Sequence, residues 1–171
     1  MNKALIAGTF AATLLTSQLS LAQQSGYVGM QYNLYKVSAN GIMDELEPDG
    51  ITLKLGGNIG DNFQLEGRFG RSLSDDNGSN SAIKVDEYVG FYVKAGQEFA
   101  DMVFPYLILG YTKLDVEYYG NPTDQTESDI SYGVGADVHF DRFMVGIEWI
   151  MLQDKSQIDV ENLNLSAAWR F

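Results

Sequence analysis

The chain has 171 residues, no cysteine, and 11 basic against 23 acidic side chains, for a formal charge of −12. That length fits one domain rather than two. The missing thiols exclude disulfide stapling, thiolate metal sites and thiol redox chemistry, and the acidic balance excludes nucleic acid, which calls for a basic footprint.

The first 22 residues read as a signal peptide. Met1-Asn2-Lys3 gives a positive start, Ala4 to Leu15 is apolar, and Ser20-Leu21-Ala22 offers small residues where a signal peptidase cuts, before Gln23. As a membrane helix the apolar run is too short and is interrupted by Gly8, Thr9 and Thr13. The mature domain is then 23–171, and losing Lys3 takes its charge to −13, with 10 basic residues against 23 acidic. No apolar run near 20 residues follows, so a closed barrel is the one remaining way for the chain to cross a bilayer.

Alternation with period two predicts eight strands, at 26–37, 49–59, 62–73, 83–96, 102–115, 128–140, 142–153 and 159–171. Each is near or above the roughly 9–11 residues a tilted strand needs to cross hydrocarbon. The links alternate. Gly60-Asp61-Asn62, Gln97 to Asp101 and Phe140-Asp141-Arg142 are short, while the others are longer and polar, such as Ser74-Asp75-Asp76-Asn77-Gly78-Ser79-Asn80. An up-and-down barrel with short periplasmic turns and longer outer loops produces this layout. With an even strand count, both ends of the domain fall on the short-turn rim. The fold class is therefore all-β, an eight-stranded antiparallel up-and-down transmembrane β-barrel.

The two faces of each strand differ. In the seventh, Phe143, Val145, Ile147, Trp149 and Met151 oppose Met144, Gly146 and Glu148; in the third, Phe63, Leu65 and Phe69 oppose Gln64, Glu66, Arg68 and Gly70. In the eighth, Leu163, Leu165, Ala167, Trp169 and Phe171 oppose Asn162, Asn164, Ser166, Ala168 and Arg170. A soluble barrel would turn the large apolar face inward. Charge decides against that, because Arg or Lys at the bilayer midplane costs about 2–4 kcal/mol, and eight strands enclose too little room for the aromatics.

By parity the inward charges are Lys54, Glu66, Arg68, Asp86, Lys94, Asp137, Glu148 and Arg170, four acids and four bases. They are expected to pair as a plug, since buried charges must be compensated. Inward Gly29, Gly56, Gly70, Gly90, Gly110, Gly133, Gly135 and Gly146 leave room for long side chains. The alternative is a narrow channel through a wet lumen. Aromatics near strand ends, Tyr27, Phe63, Phe104, Phe140 and Phe143 below and Tyr35, Tyr118 and Tyr119 above, read as interfacial girdles.

Catalysis finds little support. His139 is the single histidine, points inward near the short-turn rim, and has Asp137 as a neighbour on its face; a structural His–carboxylate pair is the expectation, with no enzyme and no cofactor. Fourteen of the 23 acidic residues fall at the long links: Asp44, Glu45, Glu47 and Asp49; Asp75 and Asp76; Asp115, Glu117, Asp124, Glu127 and Asp129; Asp154, Asp159 and Glu161. They form a solvated outer surface, a docking face for a basic partner, or a divalent-cation layer. Asp75-Asp76-Asn77-Gly78 lacks EF-hand spacing, so no dedicated metal site is expected.

The stretches GDNFQLEGRFG, PYLILGY and YGVGADVHFDRFMVGIEW, with the closing LNLSAAWRF, resemble the small outer-membrane barrels of Gram-negative bacteria, the broad family of OmpA-like, OmpX-like and opacity-type domains. The resemblance implies an outer-membrane location and insertion by the barrel-assembly machinery, which would read Trp169 and Phe171 as its signal. It implies roles such as adhesion, resistance or membrane–wall linkage; no peptidoglycan-binding domain is present in this sequence to support the last. Outward Lys36, Arg71 and Lys113 would meet lipopolysaccharide phosphates or simply anchor strand ends by snorkelling. The expected protein is a non-catalytic monomer, plugged inside, whose acidic outer loops contact a host surface, another ligand or lipopolysaccharide.

Overall fold

The computed structural model describes residues 26–39, 48–73, 83–100, 102–118, 125–155 and 158–171. The segment read as a signal peptide lies outside them. Eight strands follow in chain order: β1 (Gly26–Ala39), β2 (Asp49–Asn58), β3 (Phe63–Ser72), β4 (Ile83–Gly96), β5 (Val103–Tyr118), β6 (Gln125–Phe140), β7 (Phe143–Lys155) and β8 (Ile158–Arg170). Each pairs antiparallel with its sequence neighbours, and β1 closes on β8 from Tyr27↔Arg170 to Ala39↔Ile158. Closure removes every sheet edge within the bilayer, where an unpaired amide would find no water.

Short connections have a local cause. Phe140 and Phe143 pair directly across Asp141 and Arg142, and Asp141 takes the left-handed conformation (φ 52°) that a two-residue hairpin needs. At the other rim, β5 and β6 run three residues past their expected ends. Val116 pairs with Gln125 and Leu114 with Glu127, so polar residues read as a loop continue the ladder. Nothing in a ladder requires an apolar face once the strands have left the bilayer.

The outward face is a continuous apolar belt, with Phe91 73%, Leu107 65%, Leu109 60% and Val134 50% exposed. The inward face is packed. Three aromatics expected in the girdles are inside instead: Tyr27, Tyr35 and Phe104 are each 3% exposed or less. Tyr27 and Tyr35 share parity with Gly29, already read as inward, so the alternation held and the end-of-strand rule misled. Phe63, Phe140 and Phe143 do face outward; Tyr119 and the side chain of Tyr118 lie outside the described residues.

Inward tyrosines also account for five of the eight inward glycines, Gly56, Gly70, Gly90, Gly110 and Gly135. A Cβ on Gly135 would press into the Tyr106 ring, one on Gly56 into Tyr27, and one on Gly110 into Tyr92. Toward the long-link ends the buried lumen groups turn neutral, with Val37, Leu114, Ile150, Leu152 and Val160 packed together beside Tyr35 and Tyr88 and the amides of Gln153 and Asn162 buried opposite them. Leu152 is inward by alternation, and a bulge between Met151 and Gln153 shifts the parity of β7 just beyond it, turns Gln153 inward as well, and leaves the Leu152 carbonyl to accept from the Ser131 hydroxyl at 3.1 Å. Alternation alone could not show that shift.

Candidate functional site

Six of the eight charges expected inside meet in the middle of the lumen: Lys54, Glu66, Arg68, Lys94, Asp137 and Glu148, all 3% exposed or less. Arg68 is the hub. Its Nη1 and Nη2 grip Glu148 Oε1 and Oε2 at 2.6 and 2.8 Å, and its Nε meets Glu66 Oε1 at 2.5 Å. This bidentate fork is the strongest geometry a carboxylate offers to a guanidinium. Lys94 Nζ lies 3.1 Å from Glu66 Oε2 and 3.3 Å from Asp137 Oδ2, tying β3, β4 and β6 together.

Neutral groups from the remaining strands complete the layer. Tyr27 of β1 donates its hydroxyl to Glu66, and Tyr106 of β5 donates to Glu148 Oε2 at 3.0 Å. From β8, Asn164 Nδ2 donates to Glu148 Oε1 at 3.0 Å, and Ser166 accepts from Lys54 Nζ at 2.8 Å. Every strand thus supplies at least one group. The Arg68 guanidinium also lies 4.4 Å from the Tyr92 ring centroid, and Lys94 Nζ 4.3 Å from that of Tyr106. Three bases and three acids make the buried set neutral, so desolvation is offset within the layer.

Of the other two expected members, one stands apart and one is not described. Arg170 is half-buried at the short-turn rim opposite Tyr27. Asp86 sits at a register shift between Val85 and Glu87, where parity fails, and its side chain lies outside the described residues. His139 also differs from expectation. Its Nδ1 pairs with Glu98 Oε1 at 2.9 Å rather than with Asp137, and its ring stacks on Phe104. Glu98 belongs to the β4–β5 turn, a partner that strand parity could not supply.

At the long-link rim, Lys36, Arg71 and Lys113 are exposed. Lys36 stands opposite Glu161 on β8, Arg71 opposite Ile51 one step from Asp49, and Lys113 opposite Ser128 and Val89. Aromatic tips are tied to the same neighbours: Tyr32 donates to Asp49 at 2.7 Å, Trp149 to Glu161 at 3.1 Å and Tyr111 to Ser128 at 2.7 Å. Of the fourteen link acids, Asp49, Asp115, Glu117, Glu127, Asp129, Asp154, Asp159 and Glu161 lie on strand ends. Asp44, Glu45, Glu47, Asp75, Asp76 and Asp124 lie outside the described residues.

At the opposite rim Phe171 closes the seam. Its amide donates to the Gly26 carbonyl at 2.9 Å and its carbonyl accepts from Gly26 at 3.2 Å. Trp169 meets Phe143 edge to face at 4.7 Å.

Residues 8–171 match the family model described as outer membrane protein beta-barrel domain. The match begins inside the segment read as a signal peptide. No curated protein matches the chain. Among solved structures, Ail, the attachment invasion locus protein of Yersinia pestis, in complex with the heparin analogue sucrose octasulfate, is 18% identical. It matches with a TM-score of 0.64 over 88% of this chain and 100% of that one. Neisserial surface protein A is 14% identical with a TM-score of 0.64, over 85% of this chain and 97% of its own. The N-terminal β-barrel domain of Pseudomonas aeruginosa OprF is 10% identical with a TM-score of 0.53, over 84% and 97%. At these identities the likeness is one of fold.

Proposed function

The chain belongs to the outer membrane protein β-barrel domain family, and from that premise we propose that this non-catalytic outer-membrane barrel works at its outer surface, with its lumen closed. The observation that carries the reading is the neutral six-charge layer to which all eight strands contribute. It fills the cross-section where a channel would need water. Residues 1–22 direct export, the barrel-assembly machinery reads Trp169 and Phe171, and the inserted protein is a monomer.

Its outer contacts are of two kinds. The acidic strand ends and links form a docking face for a basic partner, such as a cationic segment of a host surface protein. That polarity differs from the sulfated ligand bound by the Yersinia protein, so attachment here would select the opposite charge. Lys36, Arg71 and Lys113 face the outer leaflet, where lipopolysaccharide supplies phosphate.

Planar-bilayer recording joined to loop deletion tests the reading. The intact barrel should give no stable unit currents, and shortening the four outer links one at a time should reduce adhesion to a cationic surface. Steady currents from the intact barrel would favour the narrow-channel alternative.

A further inference from the structure

Two buried atoms on the inward face of β6, His139 Nε2 and Asp137 Oδ1, have no hydrogen-bond partner. His139 sits at the short-turn end and is 7% exposed. Its Nδ1 is 2.9 Å from Glu98 Oε1. An ionised carboxylate only accepts, so Nδ1 carries the proton and the neutral ring presents a lone pair at Nε2. Glu98 thus fixes the tautomer and orients the ring, as outer-shell carboxylates do for metal-bound histidines.

Met144 on β7 is the direct cross-strand partner of His139 and is 2% exposed. The His139 amide donates to the Met102 carbonyl at 2.7 Å, away from β7, so the two partners are not joined through that amide. In a pair of this kind the side chains approach most closely, with Cβ atoms about 4.5–5.5 Å apart. Glu98 and the stacked Phe104 ring occupy the β5 side of His139, which leaves Nε2 turned toward β7. One inward step higher, Asp137 Oδ1 lies against Gly146 of β7, where an added Cβ would collide with it. An imidazole nitrogen, a thioether sulfur and a carboxylate oxygen therefore line the same stretch between β6 and β7. A water molecule would serve the nitrogen and the oxygen alone. A soft cation would also draw on the sulfur.

We propose that His139 and Met144 form a binding site for a soft monovalent cation of the Cu(I) class at the short-turn mouth of the lumen, with Asp137 supplying charge beside it. Thioether and imidazole ligands select such ions. Among the described residues no three His, Cys, Asp or Glu side chains gather as metal ligands, which disfavours Zn(II). The Glu98 side chain is 42% exposed and marks the approach from the periplasm, and the unbranched Met144 is flexible enough to admit a small ion. The site is independent of what the outer links contact.

Silver(I), a stable stand-in for Cu(I), tests it by titration into the folded barrel in chloride-free detergent solution. His139 is the single histidine of the chain, so its two ring nitrogens are read directly by nitrogen-15 NMR, beside the methionine methyl groups. Silver should shift Nε2 and the Met144 methyl together and leave the Met30 methyl in place. Loss of a ligand costs no less than loss of its outer-shell partner, about 10–100-fold, so Met144→Leu should weaken silver binding about tenfold or more, and Met30→Leu should not. Zn(II) should bind far more weakly than silver. An unmoved Nε2, silver binding indifferent to Met144→Leu, or Zn(II) bound as tightly as silver would each overturn the site. The resonances of the wild type give this answer even if Met144→Leu does not fold.

Discussion

In the middle of the lumen three bases and three acids are locked by paired hydrogen bonds; toward the long-link rim Val37, Leu114, Leu152 and Val160 pack an apolar layer in the same tube, beside the neutral amides of Gln153 and Asn162. Both layers bury their side chains, but by different rules. The apolar layer asks only for volume, and neighbours of similar size can exchange within it. The charged layer asks for specific partners, because each ion is tolerable only while its counter-ion is in place. The barrel therefore packs its outer end with a forgiving material. It sets the mutual position of its strands with an exacting one.

The largest effect should follow loss of the hub. Arg68→Met removes the fork to Glu148 and the Nε bond to Glu66 and leaves both carboxylates without their guanidinium, a break that costs about 3–5 kcal/mol in buried pairs. Urea unfolding of the barrel in lipid vesicles measures it. Arg68→Lys should recover only part, since an ammonium cannot hold Glu148 by two parallel bonds. A cost below about 1 kcal/mol, within the range of exposed pairs, would mean that the middle layer is wet and that the contrast between the layers is false.

Next comes the apolar layer. Leu152 is fully buried, and Leu152→Ala should cost about 2–3 kcal/mol, toward the low end for such deletions because the site lies near a rim. Leu152→Met should cost under about 1.5 kcal/mol. The pair of conservative changes, Arg68→Lys and Leu152→Met, is the sharper comparison. If both are equally harmful, the outer layer is as specific as the ionic one.

A third test addresses the tyrosines between the layers. Gly135→Ala drives a methyl group into the ring of Tyr106 and should cost about 1–3 kcal/mol by overpacking. Tyr106→Leu makes room but gives up the hydroxyl bond to Glu148. The double variant should be more stable than the two single losses summed, a coupling that a double-mutant cycle reads directly.

Much of this was legible in the alternation. The eight strands, their closure order and the inward parity of Glu66, Arg68, Asp137 and Glu148 follow from period two and the need to keep charge out of lipid. Three things were hidden, each for a physical reason. Bulges at Val85/Glu87 and Met151/Gln153 shift parity without any mark in residue type, which left Asp86 unplaced and concealed the inward turn of Gln153. The pairing of Arg68 with Glu148 crosses the lumen between β3 and β7, and such contacts depend on the stagger of the closed sheet, which no single strand encodes. Tyr27, Tyr35 and Phe104 were assigned by a rule about where aromatics sit in membranes, although for Tyr27 and Tyr35 the glycine parity beside them already placed them inside.

The smallest effect should come from Lys54, and it is the one that separates pairing from charge balance. Its ammonium is as deeply buried as the others, yet its hydrogen bond goes to the neutral hydroxyl of Ser166 at 2.8 Å rather than to a carboxylate. If each ion is held by its own partner, Lys54→Met should cost about 1 kcal/mol or less, the loss of one charged hydrogen bond offset by the gain of an apolar side chain that needs no desolvation. If the layer is held by overall neutrality, removing one positive charge leaves three acids against two bases, and the cost should approach that of Arg68→Met. The unfolding midpoints of the two variants in the same vesicles decide between these outcomes. A small loss for Lys54 beside a large one for Arg68 would show that the ionic layer acts through geometry, pair by pair.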